Sequence, residues 1–81
     1  MSNNIDYGRL SYLGERLRAG VATIQEKDEY MQTLYQHGKI SIAQYNNYIS
    51  NRNSEDIVNA ALSVGAVLLI GYVLSELFKG R

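Results

Sequence analysis

Residues 57–75, IVNAALSVGAVLLIGYVLS, are the longest uncharged stretch of the chain. As an α-helix, these nineteen residues would extend about 28 Å, close to the roughly 30 Å hydrocarbon thickness of a bilayer. Glu55 and Asp56 precede the stretch and Lys79 and Arg81 follow it, as the helix dipole favours. The pattern predicts an apolar transmembrane helix over about 55–79. A buried central helix of a soluble oligomer is the alternative.

Small and large side chains separate onto opposite sides of this predicted helix. The small set comprises Ala60, Ala61, Gly65, Gly71 and Ser75, and the large set comprises Leu62, Leu69, Ile70, Val73 and Leu77. Residues 61 and 65, like residues 71 and 75, form small-xxx-small pairs, which allow helices to approach closely in lipid. We therefore predict that Ala61, Gly65, Gly71 and Ser75 form a helix–helix interface, while the large side chains face lipid.

The N-terminal half carries an apolar heptad pattern between residues 10 and 34. Six of its eight core positions are apolar, namely Leu10, Leu13, Leu17, Ile24, Met31 and Leu34. Gly20 and Lys27 are the exceptions. The pattern predicts one long amphipathic helix over about 6–37, capped by Asp6, whose apolar stripe needs a partner surface. Because glycine disfavours helix, a helix bent or broken near Gly20 is the alternative.

A second, shorter helix is predicted over about 41–52. Gly38 provides a stop for the first helix, and Ser41 is a good N-cap for the next one. The fold class is therefore all-α. Residues 1–52 would form a helical hairpin that acts as an interaction module, and residues 53–81 would form the membrane anchor.

The composition argues against an enzyme and against a nucleic-acid-binding protein. Eight basic and eight acidic residues give no net charge, whereas proteins that bind nucleic acid usually carry a basic excess. There is no cysteine, and the one histidine, His37, lies at a predicted helix end. We expect no catalytic residue, no cofactor, no metal and no small-molecule substrate. The arginines Arg9, Arg16 and Arg18 are predicted to form a solvated face, with contact to phosphates or lipid headgroups as the alternative.

Residues 27–52, KDEYMQTLYQHGKISIAQYNNYISNR, resemble the SHOCT (short C-terminal) helical hairpin. The resemblance lies in a leucine-bearing helix, then Gly38, Ile40 and Ser41, then the aromatic Tyr45 in a second helix. It departs from that pattern after the Ser41 cap, where acidic residues are usual. The resemblance implies self-association and no enzymatic activity.

These features together predict a membrane-anchored, self-associating structural subunit of a larger assembly, such as a phage or virus particle or a membrane complex. The partners would be the lipid bilayer, further copies of the chain and other subunits of the assembly. The layout is similar to that of tail-anchored proteins, with the N-terminal region on the side of synthesis (cytoplasm or virion interior). The alternatives are a holin-like or toxin-like membrane-permeabilising protein and a soluble helical oligomer that acts as an adaptor or regulator.

Overall fold

A computed structural model describes residues 5–51 and 54–79, and the described chain forms four α-helices. They are α1 (Tyr7–Ala19), α2 (Ile24–Gln36), α3 (Ile42–Ser50) and α4 (Glu55–Lys79). The predicted all-α fold class is confirmed, as are the second predicted helix and the long apolar helix, within one or two residues at each end.

The prediction of one continuous helix over 6–37 is wrong, because the chain turns between α1 and α2. Gly20 adopts a left-handed conformation (φ 75°), and the amide of Val21 donates to the carbonyl of Arg16 (3.1 Å), which closes α1. Thr23 and Glu26 then form a capping box that starts α2, through two backbone–side-chain hydrogen bonds of 2.9 and 3.0 Å. A stop and a start signal within four residues outweigh the heptad pattern.

The turn between α2 and α3 was predicted from its sequence. Gly38 also has a positive φ (70°), and the amide of Lys39 donates to the carbonyl of Leu34 (2.8 Å). Ser41 caps α3 and forms a capping box with Gln44.

The start of α4 is capped by Ser54, whose hydroxyl accepts a hydrogen bond from the amide of Ile57 (3.4 Å). Asp56 and Glu55 lie in the first turn, and Lys79 lies in the last. Arg81, the second cation predicted after this helix, lies outside the described residues.

The four helices share one hydrophobic core. Its buried members are Ile5, Leu10, Leu13, Tyr30, Met31, Leu34, Ile40, Tyr48 and Ala61. α1 and α2 form an antiparallel hairpin. α4 lies antiparallel to α1, since Tyr7 stacks on Tyr72 while Leu17 lines the same cleft as Val58. The proximal half of α4 (residues 55–66) therefore packs together with α1 to α3, which lie in the predicted N-terminal module. We call this assembly of helices the packed body.

Candidate functional site

The contact between α2 and α4 is formed by a tyrosine that fits against glycine. The side chain of Tyr30 is completely buried, and its ring lies between Gly14 of α1 and Gly65 of α4. A Cβ atom on Gly65 would overlap the Tyr30 hydroxyl, whereas one on Gly14 would lie at an ordinary 3.6 Å from the ring. The absence of a side chain at Gly65 is what allows α4 to approach this closely.

The hydroxyl of Tyr30 is an unusual feature of this contact. It is buried and makes no hydrogen bond within residues 5–51 and 54–79. Burial raises the pKa of Tyr30, and the nearby charge of Arg18 opposes this shift to a smaller extent. A buried hydroxyl without a partner typically lowers the stability of the fold by about 1–3 kcal/mol. The Tyr30 contact is therefore closely packed but leaves one polar group, among the described residues, without a hydrogen bond.

A second contact joins α1 to α4 about two helical turns beyond Gly65. The rings of Tyr7 and Tyr72 stack with centroids 4.3 Å apart and an interplanar angle of 12°. Tyr7 is the first residue of α1, and the described residues of α4 beyond Tyr72 are all exposed. Together, the Gly65 and Tyr72 contacts hold residues 57–72 against α1 and α2.

Beyond Tyr72, α4 extends away from the body. Every described residue from Ile70 to Lys79 is exposed. The exposed fractions of Ile70 and Phe78 reach 61% and 69%. These are large apolar side chains, which soluble monomers rarely expose as a group. Residues 70–79, the distal part of α4, are therefore the candidate functional surface.

The interface residues predicted on α4 fall into two groups. Ala61 and Gly65 are buried against the chain's own helices, near Met31 and Tyr30. Gly71 and Ser75 are exposed, and a Cβ atom on Gly71 would meet no atom within 4 Å. Gly71 and Ser75 are thus accessible to a second copy of this helix. Ala61 and Gly65 are not, because helices of the same chain already cover them.

The turn at Gly20 divides the interface residues predicted in the N-terminal half between α1 and α2. Four of them, namely Leu10, Leu13, Met31 and Leu34, are fully buried in the core of the single chain. Leu17 is partly buried against that core, and Ile24, the first residue of α2, is about half exposed. The partner surface that the stripe requires is thus provided, in this structure, by α1 and α2 facing each other.

The arginines of α1 pair with glutamates. Arg9 binds Glu29 through two 2.8 Å hydrogen bonds, and Arg16 binds Glu26 at 2.7 Å. Hydrogen bonds from these guanidinium groups lower the pKa values of Glu29 and Glu26 and raise those of the arginines. Arg18 Nη1 lies 3.3 Å from Glu15 Oε2. These side chains form a charged surface along the α1–α2 hairpin.

His37 and Asp28 both interact with other residues of the chain. His37 Nδ1 lies 2.9 Å from the carbonyl oxygen of Thr33 at the end of α2. The Asp28 carboxylate accepts a hydrogen bond of 2.5 Å from the hydroxyl of Tyr48. Among residues 5–51 and 54–79, no three histidine, cysteine or acidic side chains come together as metal ligands.

Two features of the site were not predicted from the sequence, namely the packing of Tyr30 against Gly65 and the stacking of Tyr7 on Tyr72. Both join residues more than thirty positions apart, and neither leaves a local pattern. The seven tyrosines of the chain were the one available signal, since tyrosine favours half-apolar helix contacts.

Comparisons with protein-family models, with curated proteins and with solved structures find no match for the chain.

Proposed function

We propose that the chain is a non-enzymatic, membrane-anchored helical protein that serves as a structural subunit of a larger assembly. α4 is the anchor, and α1 to α3 form the part that stays in water and contacts other subunits. The observation that carries the proposal is that α4 has 25 residues and that only 11% of its most apolar 18-residue stretch is buried.

The exposure of α4 favours an anchor over the core helix of a soluble monomer. A core helix of a soluble protein is also long and apolar, but its apolar side chains are covered. Here Val67 is 68% exposed and Leu77 is 64% exposed. Hydrocarbon is the environment that removes such side chains from water without a further protein surface.

The depth to which α4 enters the bilayer depends on whether α1 stays bound to it. α4 is long and apolar enough to cross a membrane. A single pass, with the N-terminal region on the side of synthesis, would place residues 57–72 in hydrocarbon. α1 lies along these residues and carries Arg9 and Arg16, and charged side chains are costly inside a bilayer. A full span therefore requires that α4 first separates from α1.

Self-association is the second part of the proposal. Gly71 and Ser75 are exposed and lie one helical turn apart, so they can mediate close helix contact within lipid. The α2–α3 hairpin, at the position of the SHOCT resemblance, gives a further reason to expect contact between copies. Its Tyr35 and Tyr45 rings stack with centroids 4.7 Å apart, which links α2 to α3.

The test is the location of the full chain after expression in cells. Membranes are floated through a density gradient, and the chain is detected in the floated and in the soluble fractions. We expect the chain to float with the membranes. Recovery as a soluble monomer without detergent would overturn the proposal. Recovery as a soluble, defined oligomer would also overturn it, in favour of a soluble adaptor.

A further inference from the structure

The outward face of α4 changes from polar to apolar along the helix. The inner face, which contacts α1 and α2, includes Ala61, Gly65 and Leu68. On the opposite side, the first three turns present Asp56, Asn59 and Ser63, all exposed. From residue 67 onwards the same side is apolar. We call this part the distal face, and it comprises Val67, Ile70, Val73, Leu74, Leu77 and Phe78, all exposed.

The charges at the distal end lie away from this face. Tyr72, Glu76 and Lys79 recur at intervals of four and three residues, so they continue the inner face on which the packed body sits. Lys79 Nζ and Glu76 Oε2 pair at 3.6 Å. The described chain therefore has its packed body, Glu76 and Lys79 on one side of α4 and six apolar side chains on the other.

The size of the distal face favours lipid over a second copy as its occupant in water. Stable protein interfaces use about 20–30 residues a side, and this face offers six large side chains. A helix that lies in the plane of a bilayer combines an apolar face with a polar face opposite, and its binding scales with the apolar area that enters the lipid. Residues 70–79 have this arrangement, with the distal face on one side and Glu76 and Lys79 on the other, while Leu68 and Leu69 are partly buried against the packed body.

We propose that the distal face inserts into the near leaflet of a lipid bilayer while α1 to α3 remain packed on residues 57–72. This inference rests on the proposed membrane anchoring and names how α4 meets lipid. The helix lies along the membrane surface, tilted so that Phe78 is deeper than Ser63. The body stays in water, and the contacts at Gly65 and Tyr72 keep the proximal half of α4 out of hydrocarbon.

A pair of charge substitutions on one side of α4 separates this arrangement from a full span. Leu74→Asp places a carboxylate in the distal face, and Ser63→Asp places the same charge on the same side of the proximal half. Both positions are exposed, so neither change disturbs the core. Binding is measured by flotation of the purified full chain with phosphatidylcholine vesicles.

We expect Leu74→Asp to weaken vesicle binding about tenfold or more and Ser63→Asp to leave it unchanged. If both substitutions abolish binding, α4 spans the bilayer and the in-plane arrangement is overturned, while membrane anchoring stands. If neither weakens binding, the distal face is not the lipid contact and the inference is likewise overturned. If the unsubstituted chain does not float, the proposed function itself fails.

A fluorescence experiment gives a second measurement that does not depend on binding strength. The chain contains no cysteine, so single variants Ser63→Cys and Val73→Cys can each carry one environment-sensitive dye. With vesicles, we expect a blue shift at residue 73 and a spectrum at residue 63 that stays as in water. A blue shift at both positions would contradict the inference.

Discussion

Gly65 and Tyr30 fit together so closely that any side chain at residue 65 would occupy the space of the Tyr30 hydroxyl. This contact joins the apolar helix to the N-terminal hairpin. It also gives Gly65 a role within the chain, where the sequence alone suggested a contact between membrane helices.

Gly65→Ala should therefore destabilise the folded chain. The added methyl group must displace Tyr30 or α4, and overpacking of this kind costs about 1–3 kcal/mol. The free energy of unfolding in urea, followed by circular dichroism, measures the effect.

Gly71→Ala is the matched control, since it makes the same change in the same helix where nothing lies within 4 Å. It should stabilise the chain by up to about 1 kcal/mol through helix propensity. Equal effects of the two substitutions would show that Tyr30 does not lie against Gly65.

The buried hydroxyl of Tyr30 predicts a dependence of stability on alkaline pH. Because burial raises the pKa of Tyr30 in the folded chain, its contribution to stability is complete below the unfolded-state pKa of about 10 and is lost as the pH rises through the folded value. The free energy of unfolding should fall above about pH 10. The loss should be smaller in Tyr30→Phe, although other tyrosines also ionise there. Parallel pH curves for the two proteins would contradict this account.

Tyr30→Phe should also be neutral or stabilising at pH 7, because it removes a buried hydroxyl that has no partner among the described residues. Tyr48→Phe is the control, since the Tyr48 hydroxyl donates to Asp28. The control should lose roughly 1–3 kcal/mol, as expected for a hydrogen bond to a charged group. Urea unfolding of both variants checks the prediction, and equal stabilities would refute it.

The stack of Tyr7 on Tyr72 should contribute measurable coupling between α1 and α4. Aromatic pairs of this kind are worth about 0.5–1.5 kcal/mol beyond the area they bury. A double-mutant cycle with Tyr7→Ala and Tyr72→Ala, read by urea unfolding, measures it. Additive effects of the two substitutions would mean that α1 does not reach residue 72.

Self-association within lipid should depend on the exposed small residues. Gly71→Leu should lower the oligomeric fraction in detergent, as measured by analytical ultracentrifugation, because it blocks close approach of two helices. Val73→Leu, two residues away, adds bulk to the large face and should leave the oligomer intact. An unchanged oligomer in Gly71→Leu would remove the Gly71–Ser75 contact from the account.

Most of the secondary structure could be predicted because its signals are local. Ser41 and Gly38 mark the α2–α3 turn, and the uncharged stretch defines α4. The break at Gly20 also has local signals, a glycine followed by the Thr23–Glu26 capping box, but the apolar heptad pattern continues across it and favours one helix. The two positions where that pattern fails, Gly20 and Lys27, lie on either side of the start of α2.

The packing of α4 could not be predicted in the same way. The small residues of α4 indicate close approach by some partner, but they carry no information on which one. Whether Gly65 meets a second copy or Tyr30 depends on the direction in which the chain returns after α3. That direction is set by the combined packing of all four helices, among which Tyr48 and Ile40 are buried.

Membrane anchoring and the in-plane arrangement both require that α4 binds lipid through apolar contact. Flotation of the purified chain with phosphatidylcholine vesicles, at about 0.1 M and about 1 M salt, tests it most directly. Because the chain has no net charge and the distal face carries none, the account predicts equal binding at both salt concentrations. A chain that stays folded and monomeric at the bottom of the gradient, at either salt concentration, would contradict it.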